Sequence, residues 1–458
     1  MFLKRMVFLI VIMQFGILFA QTTFDAIRIR SGTLGFGART LAMGGNGVAS
    51  AEDYSALYWN PAGLAALRQN QFSGELSHLQ FNNKASFQGD YTDMSDNFTR
   101  LRSLGLAIPL PTTRGSLVLA LGYNFVQDFD EYLFFNGFNR NSNGLQFELE
   151  NPNGVYQWYD FDKDVDQSEE LSIGGGIHQW SVGGAIALSP NLDAGIALNF
   201  WRGKEDYYLQ FKQEDSENLY ADYPADFFSY TLNQNLITRY NAFSLKLGGI
   251  FKLNEAMQMG MAIEFPTTFT VKEEYSSSDE LVFDDGFVDA VDYEPGEWEY
   301  EVKTPYRFDA GIGIQSEYIK LTAGGTYQDW TQTKFQAPEY AALDEDYSQL
   351  LEENRFFRSD FRATIDYHLG GELRSPENNI FLRAGYAVHP SPYKDATSEM
   401  AKTYYTGGIG FKVGTNAYLD ITYVRGNWKR ESEDIYTPGG TLEKITENRV
   451  FLGIRYNF

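Results

Sequence analysis

Histidine side chains are the groups in this sequence best suited to acid–base or metal chemistry, and there are four: His78, His178, His368 and His389. None has a second histidine or a carboxylate at the spacing that places metal ligands on one face of a helix. No GxSxG motif is present to expose a nucleophile for acyl transfer. The sequence therefore predicts no metal site, no cofactor and no enzyme, with a Ser/His/Asp grouping assembled across strands as the open alternative.

Other residue types exclude further classes of site. There is no cysteine, so disulfides and thiolate metal sites are impossible. Residues 160–170 resemble a calcium loop, but Val165 stands where the turn glycine is needed and Leu171 where the bidentate glutamate is needed. The glycine-rich run 35–45 has no GxGxxG pattern, and we interpret its glycines as residues that permit tight turns.

Acidic residues give the chain a formal net charge of −24. Nucleic acid is therefore not expected as a partner, because phosphate binding needs a basic patch. We interpret the acidic runs as solvated loops, with divalent-cation bridging between loops or to lipopolysaccharide as the alternative. The runs lie at 160–170, 276–285 and 343–354.

The first twenty residues have the pattern of an export signal. Lys4 and Arg5 precede an apolar run from Met6 to Phe19, and the small residue Ala20 follows. This order predicts a cleaved secretory signal peptide over residues 1–20. A membrane anchor is the weaker interpretation, because about fourteen apolar residues fall short of the roughly twenty that a spanning helix needs.

Aromatic residues are abundant in the rest of the chain, with 30 Tyr, 36 Phe and 7 Trp. Mean hydropathy nevertheless stays negative at −0.35. Strands that are apolar on one face and polar on the other average to such a value, as in a transmembrane β-barrel. The sequence thus predicts an all-β fold, a transmembrane antiparallel barrel over residues 69–458.

Alternation of apolar and polar residues locates the strands. In the last segment Val450, Leu452, Ile454, Tyr456 and Phe458 share one face. About fourteen segments alternate in this way, an even number as single-chain bacterial barrels require. They lie near 71–81, 99–110, 115–127, 171–188, 192–211, 236–252, 256–273, 297–315, 317–333, 359–374, 379–389, 401–413, 417–430 and 447–458.

The connections between these segments alternate in length. Tight turns near 111–114 and 189–191 alternate with long links such as 128–170 and 212–235. Short periplasmic turns and long extracellular loops are typical of outer-membrane barrels, so both termini are expected in the periplasm. Four tryptophans then fall near the outer ends of their strands and predict an aromatic girdle: Trp201, Trp298, Trp330 and Trp428.

The segment before the first strand, residues 21–68, shows no strand alternation. It is rich in small and aromatic residues, and Pro61 restricts Asn60 to an extended or turn conformation. Since this segment precedes the first strand at the mouth of a wide barrel, we expect it to fold into the lumen as a plug.

Residues 37–65, GARTLAMGGNGVASAEDYSALYWNPAGLA, resemble the N-terminal signature of the FadL-type family of outer-membrane transporters for long-chain fatty acids and other hydrophobic compounds. The resemblance centres on Asn60, Pro61 and Ala62, which in that family belong to a hatch that closes a fourteen-stranded barrel. Tyr456 and Phe458 at the C-terminus resemble the signal read by the barrel assembly machinery.

The resemblance implies a route for a hydrophobic small molecule or fatty acid: capture among the outer loops, passage to an apolar pocket, and lateral exit through the wall when the hatch shifts. Gly122 is the candidate kink for that exit. Arg307, Arg362 and Arg383 are the candidate lumen cations for a carboxylate head group. The candidate outer capture groove comprises Tyr132, Leu133, Phe134, Phe135 and Phe138.

Some barrels with this same N-terminal signature, the PorV-like proteins, act instead in a protein secretion system. That role is the alternative function. The sequence leaves open whether the ligand is a fatty acid, an alkane or an aromatic hydrocarbon.

Overall fold

The computed structural model describes residues 23–45, 47–341, 347–432 and 436–458. The predicted signal peptide lies outside these ranges. Within them, no helix is both long enough and apolar enough to cross a membrane.

Helices are short and strands are long in the described chain. The α-helices are α1 (Thr23–Arg28), α2 (Ala38–Leu41), α3 (Ala56–Trp59), α4 (Ser348–Glu352) and α5 (Asn354–Asp360), with 3-10 helices at Pro61–Ala66, Trp330–Gln332, Glu339–Ala341 and Ser398–Met400. The strands are β1 (Gln71–Phe87), β2 (Asp90–Leu110), β3 (Leu117–Asp128), β4 (Glu131–Asn139), β5 (Gln146–Glu150), β6 (Tyr156–Asp160), β7 (Val165–Ser189), β8 (Leu192–Glu214), β9 (Phe227–Lys252), β10 (Met257–Glu264), β11 (Thr268–Phe283), β12 (Val288–Asp292), β13 (Gly296–Lys303), β14 (Arg307–Gln315), β15 (Ile319–Asp329), β16 (Lys334–Gln336), β17 (Ala363–Arg374), β18 (Ile380–His389), β19 (Lys402–Val413), β20 (Ala417–Ser432) and β21 (Thr441–Asn457).

These strands form a closed antiparallel barrel of fourteen wall strands. Four wall strands consist of two consecutive pieces each: β3 with β4, β10 with β11, β14 with β13, and β15 with β16. The barrel closes where β1 pairs with β21, from Gln71 opposite Asn457 onward. The predicted fold and strand number are confirmed, and each predicted segment overlaps one wall strand, although several strands extend further at the loop end.

Alternation along each strand separates an outer apolar surface from the lumen. Val450, Leu452 and Ile454 are exposed on the outside, while Phe451 between them is buried inside. The same alternation on the other strands produces the apolar outer face of a membrane-spanning barrel. Phe361 lies in the predicted segment 359–374, where alternation with Ala363 and Ile365 would turn it towards the membrane, but it precedes β17 and is fully buried.

The two ends of the barrel differ in how their strands are connected. At one end, the turn end, connections are short, as at 190–191 and 414–416. At the other, the loop end, much of the sequence predicted as long loops continues as paired strand. The β8–β9 hairpin, for example, stays paired as far as Glu214 opposite Ser229.

The predicted tryptophan girdle is wrong. Trp201 and Trp330 are buried on the lumen side, where their indole N–H groups donate to Ser244 Oγ and Thr364 Oγ1, each at 2.9 Å. Trp428 is also buried, and Trp298 stacks on Tyr347. Polar partners for the indole N–H exist inside the barrel, which favours the inward orientation.

Candidate functional site

The N-terminal segment, residues 23–45 and 47–68, packs against inward-facing residues of the wall in the turn-end half of the lumen. Tyr54 lies over two paired glycines, Gly105 of β2 and Gly122 of β3. A β-carbon would come within 2.0 Å of the Tyr54 ring at Gly105 and within 1.9 Å of its hydroxyl at Gly122. The Tyr54 hydroxyl donates to Asn124 Oδ1 at 3.0 Å, so the ring fits only because the wall lacks side chains there.

A second close contact between the segment and wall glycines is formed by Asn60, Pro61 and Ala62. Asn60 is fully buried, and its Nδ2 donates to the carbonyls of Val48 at 2.7 Å and Gly249 at 3.0 Å. Its Oδ1 accepts from Ala62 N–H and so caps the 3-10 turn. A β-carbon at Gly248 would lie 2.0 Å from Asn60 Oδ1.

A third close approach holds the bend after α2. Gly44 N–H donates to Thr406 Oγ1 at 3.1 Å, and that hydroxyl donates to the Ala42 carbonyl at 3.0 Å. A β-carbon at Gly385 of β18 would lie 2.1 Å from Gly44 N. Gly44 itself has a φ of +77°, a conformation that glycine adopts without strain.

Ion pairs connect the same segment to the wall. The Glu372 carboxylate forms ion pairs with the guanidinium groups of Arg39, at 3.2 Å, and Arg383, at 2.7 Å. Arg383 also forms an ion pair with Asp420 at 2.7 Å. Arg455 bridges Asp420 at 3.0 Å and Asp53 of the N-terminal segment at 3.4 Å.

The charge state of Asp53 follows from these neighbours. Burial alone would raise the pKa of the Asp53 carboxyl, but the Arg455 and Arg39 guanidinium groups hold it below its usual range. The carboxylate is therefore charged at neutral pH, and its ion pair with Arg455 holds the segment to the wall.

Above the N-terminal segment, towards the loop end, the lumen is lined mainly by apolar and aromatic side chains, which we call the inner lining. Arg28 and Arg30 of the segment lie over two of its rings and pair with Glu205 and Glu264. Ile27 and Ile29 of the segment are buried against the inner lining. Its ring pairs have centroids 5.5 to 5.8 Å apart. These pairs are Phe129 with Tyr240, Trp201 with Phe269, and Tyr300 with Phe335.

A second apolar group, the loop-end cluster, lies between the extended strand ends and the β5–β6 hairpin. It comprises Phe147, Leu149, Phe161, Val165, Leu209, Phe211, Phe227, Tyr230, Leu232, Leu281 and Phe283. Leu171 and Tyr207 pack against both this cluster and the inner lining. Apolar side chains are therefore continuous from the loop end to the N-terminal segment.

The wall is interrupted beside the inner lining. Backbone pairing of β2 with β3 runs from Leu110–Leu117 to Ser103–Asn124 and ends there. On the other side of β3, the register with β7 shifts between Phe125 and Gln127, which leaves Val126 as the extra residue of a bulge. Alternation fails at the same point, since four consecutive residues from Asn124 to Gln127 are buried.

Side-chain ion pairs replace the backbone ladder beyond this interruption. Arg102 of β2 contacts Asp128 at 2.8 Å and donates to the Gly35 carbonyl at 2.8 Å. Arg100 of β2 pairs with Asp130, and Arg449 also pairs with Asp128. The strands are held together here by charges that connect β2, the β3–β4 link and the N-terminal segment.

Gly122, the predicted kink, lies in the regular part of the ladder. It is paired on both sides, opposite Gly105 of β2 and Ser181 of β7. Its missing side chain makes room for the Tyr54 hydroxyl. The bulge lies instead three to five residues further along the strand, at Phe125–Gln127.

The predicted capture groove is not an exposed apolar loop. Its residues form β4, which pairs with β7 and packs against the β1–β2 hairpin. Leu133 and Phe135 are buried against Ala85 and Phe87. The other three members, Tyr132, Phe134 and Phe138, are half-buried. A strand forms because the five residues alternate between two packed faces.

The three candidate cations have different surroundings. Arg307 is buried and pairs with Asp309 at 3.1 Å, and Arg383 is neutralised by Glu372 and Asp420. Arg362 precedes β17 and is exposed, where it donates to the Ser391 carbonyl. At the C-terminus, Tyr456 and Phe458 are exposed on the outer face, with ring centroids 6.1 Å apart.

Solved structures show what fold this is. The chain is similar to the P. putida toluene transporter TodX, with a TM-score of 0.60 and 14% identity over 93% of this chain and 99% of that one. A Pseudomonas aeruginosa FadL homologue gives a TM-score of 0.57 and 13% identity over 91% and 96%. The Ralstonia pickettii toluene transporter TbuX gives 0.54 and 16% over 93% and 98%.

These similarities confirm the FadL-type fold that the N-terminal signature predicted. No protein-family model matches the sequence, and no curated protein matches it. At such low identities the shared property is the fold.

Proposed function

We propose that this protein is an outer-membrane channel for uptake of hydrophobic compounds such as fatty acids or aromatic hydrocarbons, and not an enzyme. The observation that carries the proposal is the interruption of the β2–β3 ladder at Ser103–Asn124, directly beside an apolar lumen. Toluene transporters of the same fold support it. Unpaired backbone groups in a membrane-spanning wall are costly, because lipid cannot form hydrogen bonds with them. An interruption at this place therefore calls for a functional explanation.

In this proposal the N-terminal segment is the hatch, the loop end faces the exterior and both termini face the periplasm. The apolar solute enters at the loop-end cluster and passes Leu171 and Tyr207 to the inner lining. The hatch blocks the straight path because Tyr54 and Asn60 fit against wall glycines. Exit then occurs sideways, where β2 and β3 separate.

Lateral exit has a physical advantage for an apolar solute. A route through the hatch would place the solute in periplasmic water, at about 0.8 kcal/mol for each methylene group. A route through the wall delivers it to the membrane. The ion pairs of Arg100 and Arg102 with Asp130 and Asp128 stand at the interruption, and we propose that they part during exit and otherwise keep it closed.

Deleting Val126 tests this route, because it removes the extra residue of the bulge and allows β3 to pair regularly. The matched control is Val126→Ala, which loses the same side-chain atoms beyond Cβ but keeps the residue count. Uptake of labelled toluene and labelled oleate is measured in a Gram-negative host whose outer membrane resists apolar solutes. Folding of each variant is checked by the heat-dependent mobility of the barrel on a gel.

The proposal expects uptake to fall to the level of cells without the protein when Val126 is deleted, and to persist in Val126→Ala. Equal uptake by the folded deletion variant and the control would exclude exit at this interruption. The alternative role in protein secretion gains no support from the transporters of this fold compared above.

A further inference from the structure

Three potential metal ligands meet on the lumen side of two adjacent strands. Asp366 and His368 are two residues apart on β17 and therefore share a face. Tyr367 pairs with Val388 of β18, and continuing the register by one residue places His389 opposite Asp366. Ligand atoms from the three side chains all lie within 4.8 Å of one another.

His389 is unusual among these groups because its ring nitrogens lack hydrogen-bond partners. The side chain is only 6% exposed, yet neither Nδ1 nor Nε2 has a partner among the described residues. A buried polar atom without a partner is costly and calls for an explanation. The rings of His368, at 5.3 Å, and Tyr404, at 5.1 Å, enclose it edge-on.

His368 is oriented by the N-terminal segment. Its Nδ1 lies 2.7 Å from the carbonyl oxygen of Gly44, which can only accept, so Nδ1 carries the proton. Nε2 is then the nitrogen with a free lone pair. Metal-bound histidines commonly donate their other ring N–H to a carbonyl, which fixes the tautomer and the ring orientation.

The charges around the three ligands are compatible with a cation. The Asp366 carboxyl oxygens have no ion pair or hydrogen bond within the described part of the chain, so they are available as ligand atoms. Arg307 is the nearby guanidinium, and Asp309 neutralises it at 3.1 Å. The Lys402 ammonium lies over the Trp428 ring, 4.5 Å from its centroid.

We propose that Asp366, His368 and His389 bind one divalent transition-metal ion of the Zn²⁺ class in the barrel lumen. Two imidazole nitrogens and one carboxylate oxygen form a donor set suited to zinc, with a fourth position left for water or another small ligand. Because Gly44 orients His368, the ion would bind more tightly when the N-terminal segment is in place. The inference is independent of which compound the channel carries.

Zinc binding to the purified full chain tests this site. The protein is prepared without a histidine tag, stripped with a chelator and equilibrated with ZnCl₂, and bound zinc is measured by elemental analysis. The variants are His368→Gln, His389→Gln and the double variant. The control is His78→Gln, since His78 is exposed on β1 and away from these residues.

We expect one tightly bound zinc ion for the wild type and His78→Gln. The zinc affinity should fall by about a hundredfold in each site variant. Removing a residue that only supports a metal ligand already lowers metal affinity by about 10- to 100-fold. Equal tight binding by the double variant, or none by the wild type, would overturn the proposal. X-ray absorption of the zinc-loaded wild type needs no variant: two imidazole scatterers are expected, and a spectrum with oxygen ligands only would contradict the site.

Discussion

The two halves of the lumen are filled in different ways. In the turn-end half, the N-terminal segment fits against wall positions that have no side chain, such as Gly122, Gly248 and Gly385, and the ion pairs of Arg39 with Glu372 and of Asp53 with Arg455 hold it there. In the loop-end half, aromatic rings pack on one another in the inner lining and the loop-end cluster. The packing of the N-terminal segment depends on the shape and charge of a few positions, whereas the loop-end cluster depends on apolar volume.

This difference fits the roles that we propose for the two halves. A hatch must close against ions and water, which requires contacts at fixed distances and satisfied charges. A passage for apolar solutes needs an apolar surface whose exact packing matters less. Substitutions should therefore be much more damaging in the turn-end half.

The largest effect is expected for Arg383→Gln. Glu372 and Asp420 would lose a shared partner in a buried position, and removing one member of a buried ion pair costs about 3–5 kcal/mol. Denaturant unfolding followed by tryptophan fluorescence measures the change. Arg362→Gln, at an exposed arginine, is the control, with an expected change below about 0.5 kcal/mol. Equal losses of stability for the two substitutions would show that burial of the ion pairs does not determine the size of the loss.

Gly248→Ala should have the next largest effect. The new β-carbon would lie 2.0 Å from Asn60 Oδ1, so the N-terminal segment must move away from the wall. We expect a loss of about 2 kcal/mol, typical of overpacking, together with a higher ion conductance in planar bilayers.

The matched control for that substitution is Gly249→Ala. An added β-carbon there has only the Asp193 carbonyl oxygen nearby, at 3.9 Å. Conductance should stay at the wild-type level. If the two alanine variants conduct alike, the fit of Asn60 against Gly248 does not close the lumen.

Tyr54→Phe is expected to have a smaller effect. The ring still fills the space over Gly105 and Gly122, but the hydrogen bond to Asn124 Oδ1 is lost, at a cost of about 1 kcal/mol. Conductance should rise slightly, since the ring remains. A conductance as high as that of Gly248→Ala would show that the hydroxyl, not the ring, makes the seal.

The smallest effect is expected in the loop-end cluster. Phe211→Leu replaces one buried apolar side chain by another of similar size, which should cost less than about 1.5 kcal/mol. Conductance should be unchanged because the hatch is untouched. A leak comparable with that of Gly248→Ala would erase the contrast between the two halves.

The sequence predicts the wall well because a spanning strand must alternate along its whole length. Val450, Leu452 and Ile454 show this pattern without any knowledge of their neighbours. Inward-facing aromatic residues are harder to place. Trp330 directly follows β15 and Trp201 lies in the middle of β8, and each is turned inward with a hydroxyl as its partner.

The interruption and the histidine site depend on pairing between strands. As a glycine, Gly122 could adopt the conformation of a kink, which is why the sequence favours it. In the structure its neighbours continue the ladder, and the bulge forms at Val126. His368 and His389 are far from helical metal-ligand spacing, because their proximity comes from the β17–β18 register. A search for two ligands at i and i+2 beside a third on the next strand could have found them.

Bound hydrophobic molecules provide the most direct test that this barrel carries them. The protein is extracted under mild conditions, co-purifying molecules are identified by mass spectrometry, and displacement by labelled fatty acid or toluene is measured. We predict a stoichiometric, displaceable apolar ligand. A lumen that retains and binds no such compound, with a partner protein co-purifying instead, would contradict the transport function and favour the secretion role.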